Sequence, residues 1–289
     1  MSDILYLNGE YLPSAEAKIS VFDRGFMFGD GVYEVIPVYS GMLLRGRAHL
    51  ERLQQSLDAL GISNPLDMAQ WMDVFTTLIY HHNLQPDNVI YIQVTRGTMA
   101  KRDHGWSSDM PPNVLVICSA QTYAAQDTQT TGERAVTLAD TRWSDCHIKT
   151  TNLLPNTLLL QKARGMGANE AILIRENYAI EGTQSNLFIV NDDIIVTPPK
   201  NNHVLGGITR EIVIDICKQN KIICREKDIL EDELHDADEI WMSSSSREIV
   251  PIVTLNQHAV GKGKPGAMWL QMIQLYQEYK LKVMRAPSV

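Results

Sequence analysis

With 289 residues, 44% of them hydrophobic and 21% charged, the chain can build one large core or two medium ones and has an ordinary globular balance. Its formal charge of −8 argues against a nucleic-acid backbone as a partner, since that demands a basic surface, but not against a small anion held by a few local cations. No stretch approaches a membrane span, and the opening MSDILYLNGE lacks the basic flank and apolar core of a signal peptide, so no membrane and a cytoplasmic location are expected.

The chain opens as strand, turn and strand: ILYL, Asn8-Gly9, then EYL. YEVIPVY (33–39), Ser40-Gly41 and MLLR read as a second hairpin. From Ala48 the period changes. Leu50, Leu53, Leu57 and Leu60 fall on one helical face, with Gly61 as a stop. A second helix is expected over 66–82, then strands over 88–96 and 113–120, joined by a polar loop that carries Arg102 and His104. Residues 121–133, QTYAAQDTQTTGE, show no apolar periodicity and read as a linker between domains at 1–120 and 134–289. Beyond it come the strand RAVTLAD, Lys149, a helix over 152–164, and strands at 170–175, 185–190 and 194–197. Gly206-Gly207 opens a helix from Thr209 to Asn220, and short strands near 222–226, 239–243 and 249–254 precede a last helix over about 265–281. Hairpins mixed with helices, without regular βα alternation, indicate two α+β domains.

Several familiar signatures are absent. GMGANE and GDGVYE each lack the third glycine of a dinucleotide loop, and there is no GxxxxGK[ST], HExxH or GxSxG. His81 and His82 are adjacent, so on a helix their rings splay by roughly 100° and do not readily share a metal. Cys118, Cys146, Cys217 and Cys224 form no close pair, which indicates reduced thiols and neither a zinc site nor a redox CxxC.

What remains is a set of parts that pyridoxal phosphate would need. Its aldehyde needs a desolvated lysine, and DCHIKTTNLLPN places Lys149 between an isoleucine and two threonines. Its pyridine nitrogen needs a carboxylate, and IEGTQSNLF places Glu181 alone at what reads as the start of a buried strand. At about 3 Å and an effective dielectric near 20, that attraction is roughly 5 kcal/mol before desolvation. Its phosphate needs a helix N-terminus or an arginine, which Gly207-Ile208-Thr209 and Arg52 could supply. Taken singly, each residue has an ordinary reading: a surface lysine, a strand-end salt bridge, a solvated helix arginine, a glycine loop.

Together and in order, FDRGFMFGDGVYEVIPVYSG (22–41), HLERL, IKTTNLL, AILIRENYAIEGTQSNLF and GGITREIV resemble the fold type IV pyridoxal-phosphate enzymes over nearly the whole chain. That family holds D-amino-acid transaminases, branched-chain aminotransferases and aminodeoxychorismate lyases. The resemblance implies a two-domain α+β fold, with the C-terminal domain carrying Lys149 as the Schiff-base lysine and proton shuttle. It implies Glu181 at the pyridine nitrogen, Arg52, Gly207, Ile208 and Thr209 at the phosphate with Ser245 assisting, Ser185 near the cofactor, and Leu205 under its ring. It also implies a homodimer with the active site at the subunit interface.

Two places bear on the reaction. Tyr33 of FGDGVYE matches a transaminase tyrosine that points at the substrate. In TRGTMAKRDHGW, Arg102 and His104 match the Arg-x-His pair of bacterial D-amino-acid transaminases, which reaches from the neighbouring subunit to the substrate carboxylate. A guanidinium forks onto a carboxylate, and histidine and tyrosine add donors. The loop is one residue longer than that pattern before Arg102, and Gln184 stands where the subgroup favours serine. The expectation is a transaminase that moves an amino group between D-amino acids such as D-alanine and D-glutamate and 2-oxo acids. Its rivals are an L-branched-chain aminotransferase, a β-eliminating lyase, and a cofactor-binding protein without turnover.

Overall fold

The computed structural model describes residues 4–82, 87–121 and 131–285, so the linker read at 121–133 lies almost wholly outside the described residues. The chain forms two compact units, Met1–Thr122 with Ile148–Leu153, and Tyr123–His147 with Leu154–Val289.

Unit 1 is built on an antiparallel sheet of β1 (Ile4–Leu7), β2 (Glu10–Pro13), β3 (Gly31–Tyr39), β4 (Met42–Leu43), β5 (Asp87–Thr95) and β6 (Asn113–Ala120), in the order β2-β1-β6-β5-β3-β4. Both predicted hairpins form, with Asn8-Gly9 and Ser40-Gly41 at positive φ as tight two-residue turns require. One face of the sheet is covered by helices. Counting helices in chain order, α1 is Arg24–Phe28, α2 is Gly46–Leu60 and α3 is Met68–His81. Leu50, Leu53 and Leu57 of α2 and Trp71, Phe75 and Leu78 of α3 pack on Val32, Ile36, Ile90, Ile92 and Val94. Each such side chain contributes about 1.5–3 kcal/mol by leaving water. Gly61 ends α2 in the left-handed conformation, and Asp67 with Gln70 closes a capping box at the start of α3.

The short helix α1 is not predicted from the sequence, because five residues show no helical period. Its N-cap Asp23 accepts from Phe26 N at 2.9 Å, Thr95 Oγ1 at 2.6 Å and Asn113 Nδ2 at 2.7 Å, which ties it to β5 and β6. A Cβ at Gly25 would overlap the Thr95 side chain, so this position has no room for one.

The segment bearing Lys149 differs from expectation: it groups with unit 1, not with residues 134–289. Backbone bonds explain this. Lys149 O accepts from Tyr33 N at 2.9 Å, Thr151 N donates to Gly31 O at 2.9 Å, and Lys149 N donates to Ser56 Oγ at 3.2 Å. Thr150 Oγ1 and Thr151 Oγ1 add bonds of 2.9 Å to Gly31 O and Gly29 O.

In unit 2 the strands are β7 (Glu133–Ala139), β8 (Glu170–Arg175), β9 (Tyr178–Gly182), β10 (Asn186–Asn191), β11 (Ile194–Thr197), β12 (Cys224–Glu226), β13 (Ile229–Leu230), β14 (Glu239–Ser244), β15 (Glu248–Leu255) and β16 (His258–Ala259). They form one mixed sheet ordered β12-β11-β10-β14-β15-β7-β8-β9-β13, with β16 paired to β15. The helices are α4 (Leu154–Gly165), α5 (Ile208–Asn220) and α6 (Ala267–Arg285). Leu159 and Ala163 of α4 pack on Val136, Leu138, Ala171 and Leu173 of the parallel pair β7–β8. Glu181 does not open a strand. It is the penultimate residue of β9, because the chain turns at 183–185 before β10 begins. No helix among the described residues is long and apolar enough to cross a membrane.

Candidate active site

In unit 1 the Lys149 segment lies beside the first residues of β3. Lys149 is half-buried, and its Nζ sits 4.1 Å from the centre of the Tyr33 ring. Tyr33 in turn lies 5.9 Å from Tyr91, whose hydroxyl is pushed up to about 12 by burial and by the neighbouring phenol. The fold thus brings Lys149 beside Tyr33, although the two are far apart in the sequence.

Arg52 is buried, not on a solvated helix face. Its Nε and Nη2 donate to Glu34 at 2.7 and 2.8 Å, and His49 Nδ1 lies 2.8 Å from the same carboxylate. Burial disfavours the charge on Glu34, but the Arg52 charge and hydrogen bonds with His49 outweigh it and hold the carboxyl well below its usual range. Burial holds His49 below its ordinary value, against the pull of Glu34. Burial thus favours the neutral imidazole, which then donates its Nδ1–H to the carboxylate, with Arg52 as the main counter-charge. Sequence reading missed Glu34 and His49. The available signal was a lone acid in the otherwise apolar strand YEVIPVY and two basic residues three apart on one helix.

Phe28, the last residue of α1, gathers both candidate substrate groups. The Arg102 guanidinium lies 5.2 Å from its ring centre, and the His104 ring is 5.3 Å away at a tilt of 34°. Both side chains are exposed.

In unit 2, Glu181 is buried and accepts from Arg142 Nη1 at 2.5 Å, Asn186 Nδ2 at 3.1 Å and Leu205 N at 3.1 Å. Burial pushes its carboxyl above the ordinary value, with the charge and hydrogen bond of Arg142 and the Leu205 N–H pulling the other way. Arg142 also binds Asp140, and Asp140 pairs with Arg175, so Glu181 ends a run of alternating charges. Arg142 is a further residue the sequence did not reveal, since it comes from an irregular segment after β7.

Asn186 Nδ2 also donates to Leu205 O at 2.8 Å, which fixes the loop before α5. Gly207 is the N-cap of α5, and its first N–H groups receive no side-chain cap. A Cβ at Gly207 would overlap Asn186 Oδ1, so glycine is needed here for close approach. Ile208 and Thr209 are buried in the first turn, which leaves an N-terminus suited to an anion. Ser245 lies in the turn after β14, and the neighbouring Ser243 and Ser244 hydroxyls are buried with no partner among the described residues. Ser243 is the register partner of Asn186. Ser185 donates to Glu170 Oε2 at 2.8 Å, and Thr183 Oγ1 donates to Oε1 at 2.5 Å, so a second buried acid shapes the turn after Glu181. Among the described residues no group of three or more His, Cys, Asp or Glu could hold a metal.

These parts belong to one family. Residues 31–255 match the model of the class IV aminotransferases, and the chain belongs to that family: it is a pyridoxal-phosphate-dependent aminotransferase of fold type IV, built as α+β. It is 37% identical to the D-alanine aminotransferase of Bacillus licheniformis over 264 residues, covering 90% of this chain and 91% of that protein. It is 35% identical to the D-alanine aminotransferase of Staphylococcus aureus (strain MSSA476) over 275 residues, covering 95% and 97%. Among solved structures it is similar to the branched-chain amino acid aminotransferase of Escherichia coli, at a TM-score of 0.91 and 25% identity, over 96% of this chain and 94% of that one.

Proposed function

We propose that this chain moves the amino group between D-amino acids, D-alanine and D-glutamate among them, and 2-oxo acids. The observation that carries the reading is the gathering of Arg102 and His104 around Phe28, which groups a guanidinium and an imidazole as a carboxylate would require. The D-alanine aminotransferases at 37% and 35% identity support it. The likeness to a branched-chain enzyme at 25% identity favours the second reading, an L-branched-chain aminotransferase, in which Arg102 and His104 have no role.

The residues fit pyridoxal phosphate chemically: a half-buried lysine amine, a buried carboxylate, an uncapped helix N-terminus and two buried hydroxyls without partners among the described residues. When bound, that cofactor supplies an electron sink for the pair left at the substrate Cα. Lys149 would be the residue that holds the cofactor's aldehyde end, and its free amine would take the proton from the substrate Cα. Glu181, oriented by Arg142, Asn186 and Leu205, would keep a proton on the ring nitrogen. Arg52, Gly207, Ile208, Thr209 and Ser245 would be the residues that hold the phosphate, and Leu205 would pack against the cofactor. Glu170 orients the 183–185 turn through Thr183 and Ser185. Tyr33 faces the substrate.

The working form is a homodimer whose Arg102 loop serves the neighbouring protomer's substrate. The exposed Val21, Phe22 and Phe26 of unit 1 are an apolar surface that a second copy would cover. A cytoplasmic location agrees with four free cysteines. The test is steady-state turnover of D-alanine with 2-oxoglutarate. Parallel double-reciprocal lines, with pyruvate formed and activity lost in Lys149→Ala, support the proposal. Turnover of L-leucine with D-alanine ignored would replace it with the branched-chain reading.

A further inference from the structure

We propose that Arg24 is a positioning residue for the substrate-carboxylate loop: its buried guanidinium gathers the backbone carbonyls of Asp103, His104 and Gly105 and so sets where Arg102 and His104 stand. The inference rests on the reading of that loop as the carboxylate trap.

Arg24 is 3% exposed and lies in α1. Its Nη1 donates to Asp103 O at 2.8 Å and Gly105 O at 3.0 Å, and its Nη2 to His104 O at 3.0 Å. Nη1 also lies 3.0 Å from Met99 Sδ, and Nε donates to Asp30 Oδ2 at 2.7 Å. Every nitrogen of the fork is engaged, and none of these partners is a substrate group. Residues 101–109 are exposed and have no regular structure, so the carbonyls of 103–105 have no ladder partner. Three successive carbonyls aimed at one cation order such a loop more firmly than water can. Lysine cannot reproduce the fork.

The anchor continues into the rest of unit 1. Arg96 Nε donates to the same Asp30 Oδ2 at 2.8 Å, while its Nη2 and Nη1 reach Leu60 O at 2.7 Å and Gly61 O at 3.2 Å, at the C-terminus of α2. Trp106, which ends the clamped stretch, lies over Arg96 at 4.1 Å and near Arg24 at 5.5 Å. Arg24 lies 5.0 Å from the Phe28 ring that Arg102 and His104 also approach. The Arg24–Asp30–Arg96 group therefore ties the loop to the helix that carries Arg52. Burial disfavours the charge on Asp30, but the two arginines outweigh it and lower its pKa, so the link stays charged at neutral pH. A loop ordered before substrate arrives avoids the cost of ordering at each binding event, which appears in KM and not in the chemical step.

The test is Arg24→Lys, alone and combined with Arg102→Ala, in the loaded enzyme. Three quantities are read: KM and kcat for D-alanine, the calorimetric Kd for propionate (a carboxylate without an amine), and the visible band of the bound cofactor. Arg24→Lys is expected to raise KM and Kd about tenfold or more, since small misplacements of a binding group cost that much. The visible band and kcat stay within about twofold. In the Arg102→Ala background, Arg24→Lys costs several-fold less than it does alone, because the larger part of its effect acts through Arg102. A KM and Kd unchanged in Arg24→Lys, or losses that multiply in the double variant, overturn the inference. If Arg102→Ala itself leaves KM and Kd at wild-type values, the trap reading has failed instead. Should Arg24→Lys not fold, Asp30→Asn is judged by the same criteria and overturns the inference if its KM is unchanged.

Discussion

Glu34→Gln tests how Arg52 is held. Glu34 is fully buried and accepts from Arg52 at two nitrogens and from His49 at a third. Glutamine keeps the shape, removes the charge and turns one acceptor into a donor. A neutral His49 can switch tautomer and accept from the new amide, so the loss falls on Arg52, which forfeits one hydrogen bond and this counter-charge. Removing one partner of a buried pair costs about 3–5 kcal/mol, and the retained hydrogen bond places this case near 3. At roughly 2.1 cal/mol/K per residue, unfolding 289 residues carries about 0.6 kcal/mol/K, so Tm falls by about 5 °C. If unit 1 unfolds alone, the smaller entropy makes the fall larger. Scanning calorimetry on the cofactor-free protein reads this directly, and a cofactor titration should show weaker binding as Arg52 loses its orientation. A Tm within about 1 °C of wild type would refute the claim that Glu34 and Arg52 are one buried unit.

Gly207→Ala should weaken cofactor binding about tenfold or more in an equilibrium titration, because its Cβ displaces Asn186 and with it the bonds to Glu181 and Leu205. An unchanged Kd would mean that Asn186 moves freely there. Acid should destabilise the protein through His49. Its folded pKa lies below the unfolded value of about 6.5, so the stability of the neutral ring is full above that pH and lost as pH falls toward the folded value. Glu34, also depressed, adds a loss in the same direction at lower pH. Between pH 7.5 and 5.5, Tm should therefore fall more steeply in wild type than in His49→Gln, and equal slopes would contradict this.

The elements with local causes were legible in the sequence. Asn8-Gly9 and Ser40-Gly41 announce hairpins, and Leu50, Leu53, Leu57 and Gly61 announce a helix and its stop. What escaped depends on distant partners. Arg52 looks like a surface arginine until Glu34, 18 residues earlier on a strand, is placed beneath it. Which unit owns Lys149 is decided by bonds to Ser56 and Gly29, 93 and 122 residues away from the atoms they meet. Arg24 finds its carbonyls 79 to 81 residues ahead. Glu181 reads as the start of a strand and lies instead near the end of one, because IEGTQSNLF hides a turn whose geometry is set by buried Glu170. Lys149, Glu181, Arg52 and the start of the Ile208 helix are read from chemistry and the other candidates from the family resemblance, while Glu34, His49, Arg142 and Arg24 stand out only once the chain is folded.

The most direct test is one half-reaction on the purified yellow protein. D-alanine and L-leucine are added separately, without any oxo acid, and loss of the cofactor's visible band is followed. The account predicts that D-alanine alone bleaches the band, with one pyruvate released per site. Bleaching by L-leucine with D-alanine silent would contradict it and leave Arg102 and His104 without the role assigned to them.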